Sequence, residues 1–250
     1  MPDVLATALA VPGLGWMGLA MLAAGLVRGF TGFGTALIFV PVAGQFLPGT
    51  EVIMVMAVTG LFSMITLLPR ALKSADKAEV GALAAAAAVC VPLGLWILTQ
   101  LDVLTIRWIV SGVVAVTLAA VITGWRWHGR LGWPGRIAIG AGAGTLGGMT
   151  GLTGPTVIIF YLANAKSAQM VRANTIVFLA ILDVVLVLNL ALFAQTRAEP
   201  VWIAVMLAIP YLIATMIGQA LFDPRHEKAY RVVAYCVVGL ALLSGLPLLD

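Results

Sequence analysis

The chain has 250 residues, of which 62% are hydrophobic and 10% charged, with a mean hydropathy of +1.10; soluble domains run nearer ~45–50% apolar and ~25% charged. This excludes a soluble enzyme. A net charge of +4 does not point to nucleic acid either, because Lys and Arg stand between apolar segments and form no basic stripe or tail.

The opening run MPDVLATALAVPGLGWMGL has no basic region ahead of its apolar residues, so it predicts the start of a membrane segment and not a cleaved signal peptide. Apolar segments follow over Val4 to Leu47, Val52 to Leu68, Val80 to Thr99, Leu104 to Thr123, Ile137 to Ala163, Thr175 to Phe193, Val201 to Phe222 and Val232 to Leu249. Six of these have the length of one ordinary span, about 17–22 residues. The first and fifth are longer, and each carries a glycine-rich interruption: GFTGFG at Gly29 to Gly34 and GMTGLTG at Gly148 to Gly154. An unpaired N–H or C=O in hydrocarbon costs several kcal/mol, so such breaks persist only where protein covers them or where they line a cavity. Two matching breaks predict one central binding site between two halves.

Charge chooses the topology. If every segment crosses once, seven basic loop residues fall on one side and six on the other. If the fifth segment goes in and returns, one face collects Arg70, Lys73, Lys77, Arg126, Arg130, Arg136, Lys166, Arg172, Arg225, Lys228 and Arg231, against only Arg107 and Arg197 on the other. The positive-inside rule selects the second arrangement. The expected fold is an all-α polytopic membrane protein of two inverted-topology repeats, residues 1–127 and 128–250, in one integral membrane domain. Each repeat is a broken glycine-rich helical hairpin plus three transmembrane helices; whether the hairpins are re-entrant or fully spanning stays open. The repeat extends to Gly94 and Arg107, spaced like Gly218 and Arg231, and to Ala57/Thr59, aligned with Ala173/Thr175. Trp96, Trp108, Trp125, Trp127, Trp133 and Trp202 fall near segment ends, where interfacial anchors belong.

The chemistry concentrates at the breaks. In the first, Gly25 and Gly29 permit close helix approach, and Thr31, Gly32 and Gly34 form the interruption. Gly tolerates φ > 0 and Thr31 or Thr35 is placed to cap the following arm, which would leave N–H groups and a positive helix end facing an anion. Thr150, Gly151, Thr153 and Gly154 repeat the arrangement, with Pro155 suited to a first helical turn. Neither copy has the GK[ST] ending of a P-loop or the setting of a dinucleotide fingerprint. The other reading of these glycines is tight helix packing alone.

Arg28 adjoins the first break. At the midplane an Arg costs at least ~2.5–3.5 kcal/mol on insertion scales, so it requires a partner: an anionic substrate, a salt bridge or backbone carbonyls. Asp183, central in the sixth segment, is the candidate counter-charge or proton-coupling group. Asn174 and Thr175 are further substrate-binding candidates, with interhelical hydrogen bonding as their alternative role. Cys90 and Cys236 lie in apolar segments without CxxC or CxxH spacing, and His128 and His226 lie in loops, so no metal site, disulfide or cofactor is expected. No HExxH, nucleophile elbow or catalytic carboxylate pair is present, so an enzyme is not expected.

The segments GLVRGFTGFGTALIFVP and GAGTLGGMTGLTGPTVI, with the downstream RANT at Arg172 to Thr175, resemble the TauE/SafE sulfite exporters, also called toluene-sulfonate uptake permeases. The resemblance implies a multi-pass protein of the bacterial inner membrane that moves sulfite, organosulfonates such as sulfoacetate, or related anions. Where that family commonly has adjacent glycines after each break, this chain has Gly34-Thr35-Ala36 and Gly154-Pro155-Thr156. The expected function is export of a small sulfur-containing anion by alternating access at a midplane site. The partners are that anion and the lipid bilayer, with no nucleic acid and with a homodimer left open. The alternatives are a proton-coupled importer of organic anions and a non-transport assembly protein. A cysteine at Arg197 should react with an impermeant thiol reagent from outside the cell and one at Lys166 should not; the reverse pattern would overturn the hairpin topology.

Overall fold

A computed structural model describes residues 8–124, 132–163, 168–193, 198–221 and 227–248. Among them are ten helices: α1 (Leu14–Thr31), α2 (Thr35–Ala43), α3 (Gly49–Ser74), α4 (Lys77–Gln100), α5 (Val103–Ile122), α6 (Trp133–Thr150), α7 (Gly154–Ala163), α8 (Ala168–Phe193), α9 (Glu199–Ala220) and α10 (Glu227–Gly245). Six are long and apolar enough to cross a membrane. The expectations for Trp125, Trp127, His128, Lys166, Arg197 and His226 fall outside the described residues, as do the side chains of Lys228 and Arg231.

The element pattern recurs along the chain. α1 and α6 each have 18 residues and end at a glycine break, and each is followed by a short arm, α2 or α7. The first two helices of each half start at residues 14 and 133 and at 35 and 154, 119 residues apart in both cases.

The two halves interlock. α1 packs against α9, and α6 against α4, so the first helix of each half lies on the fourth helix of the other. Lipid offers no hydrophobic drive for helices to associate, and van der Waals contact must supply it. Glycine permits that contact here: a Cβ on Gly25 would lie 2.7 Å from the Tyr211 carbonyl oxygen, and one on Gly29 would meet the Thr215 carbonyl and come within 2.8 Å of the Gly218 Cα. On the other side, a Cβ on Gly144 would meet the Ala87 backbone, and one on Gly148 the Val91 carbonyl and, at 3.1 Å, the Gly94 Cα. Glycines 94 and 218 are thus the partners of the two break helices. α3 and α8 pack on each other at the centre, α5 pairs with α10 outside them, and the short arms α2 and α7 rest on α10 and α5. Large apolar side chains such as Ile65, Val89, Ile209 and Leu192 stay exposed, as suits helices whose solvent is lipid.

Capping sets the short loops. Asp76 precedes α4 and accepts the Glu79 N–H at 3.2 Å. Asp102 precedes α5 and accepts the Thr105 N–H at 2.9 Å and hydroxyl at 2.6 Å; these bonds hold its carboxyl below the usual carboxylate range. Helices run past the apolar segments: Arg70 and Lys73 sit in the last turns of α3, and Arg172 sits inside α8. Hydropathy trims such ends, because long basic side chains can stay helical while their heads leave the apolar zone. Gly148→Val should destabilise the protein by about 1–3 kcal/mol through overpacking. A drop of several degrees in the detergent-solubilised melting temperature would register it; an unchanged melting temperature would refute the close α4–α6 contact.

Candidate functional site

Each break is a threonine-stitched turn. The first helix of each half ends at a left-handed glycine: Gly32, with φ 84°, donates its N–H to the Arg28 carbonyl at 2.8 Å, and Gly151, with φ 78°, donates to the Gly147 carbonyl at 2.8 Å. This is the common way to close a helix C-terminus, and it requires a residue without a Cβ penalty. Thr31 Oγ1 lies 2.7 Å from the Val27 carbonyl oxygen and accepts the Phe33 N–H at 3.2 Å; Thr150 repeats this with the Leu146 carbonyl at 2.7 Å and the Leu152 N–H at 3.2 Å. Thr31, Gly32, Thr150 and Gly151 therefore build the turns and do not line the cavity that the turns border.

Beyond the turns the chain restarts as α2 and α7. Gly34, with φ 104°, is the N-cap of α2 and offers no side-chain bond to its first turn; the expected capping by Thr31 or Thr35 does not occur. Thr35 instead shares a 2.8 Å hydrogen bond with the Tyr211 hydroxyl from α9. The first turns of both arms, Gly34 to Leu37 and Thr153 to Pro155, face a common cavity. The space open to the centre of a water molecule there is about 20 Å³. One water needs ~10–15 Å³ by the same measure, so the cavity has room for a compact solute only.

Two charges enter the cavity. Arg28, one turn before the first break, and Asp183 of α8 are both buried, at 5% and 4% exposure, with Nη2 and Oδ2 4.0 Å apart. Arg28 Nε and Asp183 Oδ2 have no hydrogen-bond partner. The pair is close enough for mutual attraction but is not a tight bidentate bridge. Asp183 fits against α3 because residue 60 is glycine: a Cβ there would overlap the carboxylate, with Asp183 Cγ 2.7 Å away. In the second half, Gly147 stands where the first has Arg28, and the Thr153 methyl fills the space beside it. The site is asymmetric: one half supplies the cation, the other a threonine and the carboxylate.

Of the residues named from sequence, Arg28, Gly34, Thr153, Gly154 and Asp183 line the cavity. Asn174 and Thr175 do not. Asn174 donates to the Glu79 carboxylate at 3.3 Å and accepts the Asp76 N–H at 2.8 Å, while Glu79 also meets Arg136 at 3.4 Å; Thr175 donates back to the Val171 carbonyl at 2.8 Å. Arg172 donates to the Gly29 carbonyl at 2.6 Å, placing a positive charge at the C-terminal end of α1. Tyr211 and Gly60 were not foreseen as site residues. A tyrosine within an apolar span was the available signal for the first; Gly60 had none, since its role is to leave space for a side chain 123 positions later.

The chain matches the protein family described as sulfite exporter TauE/SafE over residues 17–245, a stretch that includes both breaks, Arg28 and Asp183. No curated protein and no solved structure matches it.

Asn174→Ala should lower stability by about 1–3 kcal/mol, since it removes one donor to the buried Glu79 carboxylate and the side-chain acceptor of the Asp76 N–H. The dissociation constant for a transported anion should stay within twofold (~0.4 kcal/mol) of wild type; a much larger change would place Asn174 at the ligand.

Proposed function

The chain belongs to the TauE/SafE sulfite exporter family, and from that premise we propose that it exports a small sulfur-containing anion, sulfite or a compact organosulfonate. Arg28 serves as the fixed positive charge between the N-terminal ends of α2 and α7. It is a multi-pass membrane transporter. The observation that carries the substrate reading is the buried guanidinium of Arg28, which lines the cavity and whose Nε has no protein acceptor. A planar guanidinium suits an oxyanion, and the two helix ends add roughly half a positive charge each.

Transport follows by alternating access, with the two repeats inserted in opposite senses and the α1–α9 and α6–α4 interfaces as the surfaces that slide. The reciprocal packing of these interfaces supports this reading. Both bring glycines against the backbone of the facing helix. With the cell interior negative, each expelled negative charge gains about 2.3 kcal/mol per 100 mV, so efflux needs no coupling ion. We place the protein in the bacterial inner membrane on the family resemblance.

Proteoliposome flux of sulfite, sulfoacetate, taurine and sulfate, compared between wild type and Arg28→Ala, tests the proposal. Losing the buried cation from its ligand should cost about 2 kcal/mol or more, at least thirtyfold in transport efficiency. Undiminished saturable flux in the variant would refute the role of Arg28.

A further inference from the structure

An anion held by Arg28 also lies beside Asp183, since the two side chains are 4.0 Å apart in one cavity. An ionised carboxylate only accepts hydrogen bonds, and a fully deprotonated oxyanion also only accepts. Without a proton between them, two acceptors of like charge would face each other in a buried space, the arrangement that forces paired carboxylates to share one proton. Arg28 Nε is a donor without an acceptor, and Asp183 Oδ2 an acceptor without a donor. With Asp183 ionised, a ligand that satisfies both offers an acceptor oxygen and an acidic hydrogen together.

We propose that the site selects compact oxyanions that still carry a proton, such as hydrogen sulfite. Their O–H donates to Asp183, while their other oxygens accept from Arg28 and the first-turn N–H groups of α2 and α7. The inference rests on the reading of this cavity as an anion site. Gly60 positions the carboxylate, because any Cβ there would displace it. The ionisable groups facing Asp183 are Arg28 from α1 and Tyr211 from α9, the latter engaged with Thr35. The wall from α3 is Gly60 and Met56, and among the described side chains α2 and α7 add no ionisable group to the cavity lining. α3 carries charge only near its ends, at Glu51, Arg70 and Lys73. On α8 itself Arg172 is engaged at Gly29, and Glu79 of α4 meets α8 at Asn174, nine residues or about 13 Å along the helix from Asp183. One proton then leaves with each substrate, and one net negative charge moves per turnover.

Binding of sulfite, methanesulfonate and sulfate to the purified full-length protein, measured below and above sulfite's second ionisation, tests this. Hydrogen sulfite should bind at least about tenfold more tightly than methanesulfonate or sulfate, which offer acceptors only, and affinity for total sulfite should fall at the higher pH. In Asp183→Asn the amide N–H becomes a donor, so methanesulfonate and sulfate should gain about tenfold relative to sulfite and the pH dependence should flatten. If that variant fails to fold, the wild-type comparison decides by itself. Equal affinity for all three anions, or wild-type sulfite binding indifferent to pH, overturns the inference and leaves the anion site standing. No saturable binding of any of the three overturns the anion-site reading and the inference with it.

Discussion

A helix can break inside a membrane only if protein replaces the hydrogen-bonding partners and the cover that lipid cannot provide. Both breaks meet this requirement in the same way. A left-handed glycine closes the outgoing helix, a threonine ties the turn to its preceding carbonyl, and a glycine face presses the helix onto the other half. Close approach at Gly29 and Gly148 is what buries the turns, and buried turns are what allow α2 and α7 to begin in the interior. Removing the glycines would leave the rest of the architecture without its centre.

The second constraint is electrical. Arg28 is buried where the cost of an uncompensated charge is high, and its compensation is incomplete: Asp183 stands 4.0 Å away, leaving a donor on one side and an acceptor on the other unused. A tight bidentate bridge would have closed the site to an anion, whereas a bare cation would have been costly to fold. The observed spacing lies between these extremes and leaves polar valence facing the cavity.

Symmetry in the backbone and asymmetry in the chemistry coexist. The helix starts repeat at a constant interval through the first two elements of each half, yet Arg28 has glycine as its counterpart and Gly34 has threonine. A duplicated scaffold brings two similar helix ends together, and substitutions at only a few positions then give the site its polarity.

Much of this was legible in the sequence because it follows from local physical rules. Hydropathy set the spans, doubled glycine motifs marked the breaks, and an arginine beside one of them marked the sign of the ligand. Asn174 and Thr175 were equally conspicuous as polar residues in an apolar span, but tertiary structure turns Asn174 toward Glu79 and Asp76 and leaves Thr175 bonded to its own helix. The sequence could not separate a polar side chain that faces a cavity from one that secures a helix, since both sit at the same hydropathy and spacing. By itself it determined a polytopic helical protein with two broken elements and a buried cation, because membrane solvation penalises each residue where it stands. Only the tertiary structure decided which residues meet at the cavity, bringing Gly60 under Asp183 and Tyr211 to Thr35, because those contacts depend on helix rotation and on space left by residues far apart in the chain.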